Sequence, residues 1–247
     1  FRYAHELGIE MSAKPFSIGV RIEHPQEMVD EAQYGKTKGL PPAEYKLSYR
    51  CKNGRGVYTF CMCPGGEVIM SSSQEGGVVT NGMSNNSRDS GTANSGLLVD
   101  VRLSDFDGDD ALAGVEFQEK YERLAYKNGG GRYVFPKTCW AEFRDGDEGA
   151  KAVIDSLPDF AVESIREAMP HLGRKLKGFD ADNAVMKAVE TRSSSPVRFF
   201  RDDKLQGSIK GIYPAGEGAG YAGGITSAAC DGIKVAERII EEFYFKG

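Results

Sequence analysis

Between Pro15 and Glu23, apolar Phe16, Ile18, Val20 and Ile22 alternate with Ser17, Gly19, Arg21 and Glu23. A two-residue period of this kind predicts a half-buried strand. His24-Pro25 ends it, and Pro25 suits the first turn of a short helix over residues 25–30. Residues 45–51 and 56–63 read as two further strands joined at Lys52-Asn53-Gly54-Arg55, a hairpin turn signal. Residues 67–71 and 78–80 look like short strands. Asn81 to Gly96 is rich in Asn, Ser and Gly and predicts a long loop. A strand resumes at 97–101.

The period then changes. Val115, Phe117, Tyr121, Leu124 and Ala125 form the apolar face of a helix over 114–127. Three short helices are expected at 147–157, 160–169 and 172–179, broken by Pro158, Pro170 and Gly178. Residues 184–191 and 196–201 predict strands, and 211–215 a last one. From Ile225 to Phe243, Ile225, Ala228, Ala229, Ile233, Ala236, Ile239, Ile240 and Phe243 recur at helical spacing, so this final helix is expected to be buried on one broad face. Hairpins first, then helices, then a strand–loop–helix make the fold class α+β, an antiparallel or mixed sheet with helices. Residues 1–9 read as the last turns of a helix stopped by Gly8, which suggests an excised piece of a longer protein.

The loop before the final helix concentrates the candidate chemistry. Gly216-Glu217-Gly218-Ala219-Gly220-Tyr221-Ala222-Gly223-Gly224 contains G-x-G-x-x-G from Gly218 to Gly223. Glycines between a strand and a helix let a ligand approach the backbone, and a helix N-terminus favours an anion. A dinucleotide fingerprint, however, opens a βαβ unit and needs a second strand after its helix. Here only the final helix follows. The motif fits the closing strand–loop–helix of a nucleotide-binding domain, with close strand–helix packing as the plain alternative.

Composition narrows the classes. The 247 residues carry a net charge of -5, with 40% hydrophobic and 27% charged residues, a soluble globular balance without the basic footprint of a nucleic-acid binder. No apolar run is long enough to span a membrane. Five cysteines without framework spacing point to a reducing, cytoplasmic setting. Cys61 and Cys63, at i and i+2 on a strand, share a face; they could be a redox pair, a metal fragment or packing, and with no second Cys/His pair at zinc spacing no metal site is expected. His24 could be an acid or base at a pocket edge, or a capping residue. Arg21 and Glu23 could clamp an anion or form a solvated face. Arg88 and Asp89, with Asn85, Asn86 and Asn94, could close over a substrate or lie in a plain surface loop. Arg192 and Arg198 suit carboxylate or phosphate recognition or structural ion pairs. His24, Arg21, Cys61, Arg88 and Arg198 are therefore the pocket candidates.

Five stretches are similar to a family: residues 11–26 (Met-Ser-Ala-Lys-Pro-Phe-Ser-Ile-Gly-Val-Arg-Ile-Glu-His-Pro-Gln), residues 56–66 (Gly-Val-Tyr-Thr-Phe-Cys-Met-Cys-Pro-Gly-Gly), residues 80–84 (Thr-Asn-Gly-Met-Ser), residues 189–198 (Val-Glu-Thr-Arg-Ser-Ser-Ser-Pro-Val-Arg) and the glycine stretch. Together they resemble the C-terminal half of the bacterial FAD-utilising dehydrogenases. The resemblance implies an FAD-dependent oxidoreductase whose N-terminal FAD-binding half is a missing partner of this chain. Residues 1–200 would be the substrate-binding (cap) domain for a small molecule, and 201–247 the C-terminal segment of the FAD-binding domain. Gly216, Glu217, Gly218, Gly220, Gly223, Gly224 and Ile225 would face the flavin, and NAD(P)H is admitted as an electron donor. Related flavoproteins often carry Asp where Glu217 stands. The piece alone is expected to hold FAD weakly or not at all. A rival class is a non-enzymatic module in which Arg21, Arg88, Arg198 and the Asn-rich loop grip an anionic ligand.

Overall fold

The computed structural model describes residues 1–244; the last residues of the expected flavin segment, 245–247, lie outside the described residues. The strands are β1 (Met11–Ala13), β2 (Phe16–Pro25), β3 (Ser48–Arg50), β4 (Gly56–Cys63), β5 (Gly66–Ser71), β6 (Val79–Ser84), β7 (Thr92–Val101), β8 (Lys137–Cys139), β9 (Val185–Glu190) and β10 (Val197–Phe199). The α-helices are α1 (Arg2–Glu6), α2 (Gln26–Tyr34), α3 (Ala113–Asn128), α4 (Trp140–Asp145), α5 (Lys151–Ile154), α6 (Asp159–Lys175) and α7 (Ile225–Tyr244). The mixed α+β class expected from the patterning holds. Two compact units divide the chain: residues 1–16, 101–118 and 192–247 form the first, residues 17–100 and 119–191 the second.

The second unit is built on a sheet in the order β3-β4-β7-β2-β9-β8. The pairings β3–β4, β4–β7, β2–β9 and β8–β9 are antiparallel. β2 lies between β7 and β9, so both of its edges are paired, and residues on both of its faces are buried. Ser17 and Arg21 are buried along with Ile18, Val20 and Ile22. The half-buried strand expected here is thus a buried one, because alternation reports side-chain chemistry and not which faces neighbouring elements cover. β5 and β6 form a separate antiparallel hairpin, and β6 packs against β4 and β9. The expected loop 81–96 shrinks to residues 85–91. Its ends are drawn into β6 and β7 by cross-strand pairing that residue propensity does not encode.

α6 packs against β3 and β4. It runs unbroken through Pro170, where two short helices were expected. Proline removes one backbone donor and costs about 3 kcal/mol in a helix interior. Ile165, Ala168, Met169 and Leu172 are all buried on this helix. Burying a large apolar side chain contributes about 1.5–3 kcal/mol, so the stripe outweighs the proline.

The first unit pairs β1 with β10, antiparallel, Met11 facing Phe199. Ile9, Met11, Val115 and Val197 form its core. Phe16, Phe106 and Phe117 make a mutual aromatic cluster with centroids 5.8 Å apart. Residues 211–215, expected as a strand, are turn and irregular chain. A strand needs a paired neighbour, Pro214 has no N–H to give, and the segment closes locally instead, Ile212 N–H donating to the Ile209 carbonyl at 3.1 Å. α7 forms over the expected span, but Val235 is its one buried residue among those described. Ile225 is 93% exposed, Ile233 59%, Ile240 56% and Phe243 61%. The broad buried face expected of this helix is therefore an exposed one.

Candidate functional site

The glycine-rich loop of the first unit is tied down at both ends by charged groups. Arg201 donates to both carboxylate oxygens of Asp231 in α7, at 3.0 and 2.7 Å. It also reaches the Pro214 carbonyl at 3.0 Å. Asp231 Oδ2 in turn accepts the Gly216 N–H at 2.8 Å. The Arg201 guanidinium lies 3.6 Å from the centroid of the Tyr221 ring, and the Tyr221 hydroxyl donates to the Phe199 carbonyl at 2.7 Å. The hydrogen bond from Arg201 is the main reason the Asp231 carboxyl is held below its ordinary pKa, with the Gly216 N–H adding to it. Charge-assisted pairs of this kind are stronger than neutral ones.

Arg198 completes the cradle by donating Nη2 to the Gly220 carbonyl at 2.9 Å. Gly220 has φ +86°, and a Cβ there would sit 2.6 Å from the Val197 carbonyl oxygen. Only glycine fits both the left-handed backbone and the close approach. Gly218 and Gly223 differ, since a Cβ at either would meet no atom within 4 Å. Close packing of the loop on β10 thus explains Gly220 but not those two.

Beside the loop is an open cleft of about 290 Å³, lined by Arg192, Ser194, Ser195, Glu217 and Gly218 among others. Ser195 Oγ donates to the Gly218 carbonyl at 3.0 Å. Lys14 Nζ donates to Ser194 Oγ at 2.7 Å. Burial, then the charge of Arg198, pull the Lys14 pKa below its ordinary value, while Glu217 opposes them. Cations, hydroxyls and a carboxylate around a glycine loop suit a polyol phosphate: the carboxylate accepts from hydroxyls, the cations meet anionic oxygens.

The second unit holds a separate buried charge. Arg21 is fully buried. Its Nε donates to Glu190 Oε2 at 2.8 Å and its Nη2 to Oε1 at 3.0 Å. Nη1 donates to Asn94 Oδ1 at 2.7 Å, and both Nη atoms reach the Cys61 carbonyl at 3.3 Å. Nη1 also lies 3.7 Å from Cys63 Sγ. Thr80 donates to Glu190 at 3.1 Å. Burial alone would lower the Arg21 pKa, but the Glu190 carboxylate outweighs it and raises it. A Cβ on Gly82 would fall 1.7 Å from Arg21 Nη1, so a bare backbone makes room for the guanidinium.

The pocket candidates divide accordingly. Arg21 is neither an anion clamp nor part of a solvated face; it is spent on Glu190, while Glu23 pairs with Lys187 at 3.0 Å. His24 is buried in the core, not at a pocket edge. Its Nε2 lies 2.8 Å from the Phe179 carbonyl, and burial pulls its pKa down. Arg88 pairs with Glu44 at 3.3 Å on the surface, and Asp89 accepts from Asn85 and Ser87, so this loop is satisfied by its own side chains. Arg198 supports the glycine loop. Cys61 is exposed, Cys63 buried. Of the rival module's grip residues, Arg21 is spent in the interior and Arg198 holds the Gly220 carbonyl, while Arg88 stays at the surface in an exposed pair with Glu44. Among the described residues no cluster of three or more His, Cys, Asp or Glu could hold a metal, and no helix is long and apolar enough to cross a membrane.

Sequence reasoning missed Arg201, Asp231, Lys14 and Glu190, and it placed Asn94 in a substrate loop where the structure buries it against Arg21. Arg201 and Asp231 are 30 positions apart, and nothing local pairs them. Glu190 carries a weak signal, as an acidic residue closing an apolar strand.

A model of the FAD-dependent protein, C-terminal domain-like family matches residues 15–193. The chain belongs to that family. The matched span covers most of the chain and ends before the glycine loop. An uncharacterized protein of Clostridium beijerinckii is 47% identical over 263 residues, covering 98% of this chain and 49% of its own length. The chain thus spans about half the length of the curated relative it matches.

Proposed function

We propose that this chain is the substrate-domain half of an FAD-dependent oxidoreductase, a dehydrogenase acting on a small molecule, and that its last segment closes over the flavin held mainly by another half. The observation that carries this reading is α7. Its apolar face leaves Ile225, Ile233, Ile240 and Phe243 exposed on one amphipathic helix. An apolar surface of this kind marks an interaction site. Membership in an FAD-dependent family supports an FAD-binding half as the occupant, and the relative's length, about twice this chain's, leaves room for one.

The residues present fit a closing contact with FAD. Glu217 would accept hydrogen bonds from ribityl hydroxyls. Gly218 and Gly223 would let backbone approach the cofactor, which is consistent with the open space a Cβ would find there. The N–H groups at the start of α7, from Ile225, would favour negative charge. Gly216 and Gly220 would set the shape of the loop, held by Asp231 and Arg198. Gly224 would lead into the helix. Bound FAD would supply the electron transfer, and the chain's part would be to orient it and the substrate.

The test is to mix this chain with the remaining half of the Clostridium relative and FAD. A yellow complex that survives gel filtration is expected, and Ile233→Asp with Ile240→Asp should abolish it. Stoichiometric FAD on the chain alone, or no complex with the other half, would overturn the reading.

A further inference from the structure

The Cys61-Met62-Cys63 segment is shaped in a way the strand alone does not require. In β4, Phe60 pairs with Gly96 and Cys63 with Asn94. Cys61 and Met62 together therefore face the single Ser95, which makes a β-bulge. Cys61 sits at φ +47°, an uncommon backbone for a side chain of its size. In a regular strand the two cysteines would share a face, roughly 6.6 Å apart along the chain, too far for the ~3.8 Å between Cβ atoms of a disulfide. The bulge instead leaves Cys61 exposed and Cys63 buried, and folds the segment back so that Cys63 Sγ lies 3.5 Å from the Cys61 carbonyl oxygen. Arg21 touches both, through the Cys61 carbonyl and the Cys63 sulfur.

We propose that Cys61 and Cys63 are a redox-active dithiol that exchanges with an external disulfide, Cys61 attacking and Cys63 resolving. The pair stands apart from the flavin reading and does not depend on it.

The electrostatics match the two roles. The neighbouring Cys63 thiol holds the Cys61 thiol below its ordinary pKa, helped by Arg21, while burial and Glu190 oppose them. The Cys61 thiol beside it, then burial, push the Cys63 thiol up. The thiolate is the attacking species, and it lies on the accessible sulfur. Cys61 thiolate attacks one sulfur of the external disulfide, forming a mixed disulfide and expelling the other sulfur as a thiolate. Cys63 then loses its proton to solvent beside the Arg21 guanidinium, attacks the Cys61 sulfur and releases the second thiolate. Two electrons leave the dithiol, one disulfide becomes two thiols, and a Cys61–Cys63 disulfide remains.

The experiment uses the whole chain with Cys139→Ser and Cys230→Ser, incubated with glutathione disulfide in one arm and a disulfide-bonded peptide in another. Intact mass and thiol alkylation are followed. Loss of two hydrogens, with both thiols protected and no added mass, is expected in at least one arm. The arm that reacts tells a small disulfide from a peptide one. Cys63→Ser should stop at a stable mixed disulfide on Cys61, and Cys61→Ser should do neither. Alkylation of Cys61 should reach half its maximum rate below the ordinary thiol range near about 8.5. Accumulation of the mixed disulfide in the chain that retains both Cys61 and Cys63, or no reaction in either arm, would overturn the proposal.

Discussion

α6 and α7 are amphipathic helices of 17 and 20 residues, with the same kind of apolar period. In α6 the period is matched by burial: seven residues, from Ala161 to Leu172, are inaccessible. In α7 the more strongly segregated apolar face remains open. The difference does not lie in the helices. α6 lies on β3 and β4, which its own chain supplies, and α7 has no such cover among the described residues. Periodicity identifies the face that wants burial and is silent on whether the covering surface belongs to the same chain.

The largest effect that would sharpen this contrast is expected in the closed unit. Arg21→Ala leaves Glu190 buried without its counter-charge and should cost about 3–5 kcal/mol, read as a fall in the urea midpoint. An unchanged midpoint would mean that the buried pair is not what holds β2 to β9. Leu172→Ala on α6 should cost about 2–5 kcal/mol by the same measurement, from lost transfer energy and the cavity left behind.

At the glycine loop, Asp231→Ala strips Arg201 and the Gly216 N–H of their acceptor. About 1.5–3 kcal/mol is expected for a charged hydrogen-bond partner, with faster amide exchange at Gly216 as the local readout. Protection of that amide unchanged by the substitution would show that the loop is held some other way.

His24 gives a smaller, pH-dependent effect. Its folded pKa lies below the ordinary value of about 6.5. As pH falls through 6.5 toward the folded value, the unfolded chain binds the proton and the folded chain does not. The contribution is therefore fully present above 6.5 and declines in acid. The stability difference between the parent and His24→Gln should shrink from pH 7.5 to pH 5.5. A difference that grows in acid would contradict a neutral buried imidazole.

The smallest effect belongs to the open helix. Ile240→Ala on the chain by itself should move stability within about 0.5 kcal/mol, as for an ordinary surface site. A loss as large as that of Leu172→Ala would mean that α7 is covered after all, and the contrast between the helices would fail.

Much of the fold was legible because the relevant information is local. β4 was read from end to end beside its turn signal, and α3 from its apolar stripe. The misreadings share a cause. Pro170 and the Asn-rich run at 81–96 carry local signals that were overridden by non-local pairing, by the sheet under α6 in one case and by strand partners in the other. At the site, Arg198 and Gly220 were flagged from their neighbourhoods, but that Arg198 serves the loop backbone was not visible. Nor was the bulge that separates Cys61 from Cys63, since it depends on β7 opposing the two residues Cys61 and Met62 with the single Ser95.

The sequence by itself determined the α+β class, the span and apolar face of α7, and the unusual place of a G-x-G-x-x-G stretch before a last helix. These follow from periodicity and residue conformational preference, which act over a few positions. Tertiary structure alone decided that Arg21 would meet Glu190, that Asp231 would hold Gly216, and that the face of α7 would stay uncovered. Charge pairing and burial depend on which distant segments arrive at the same place, and no local pattern of residues specifies that.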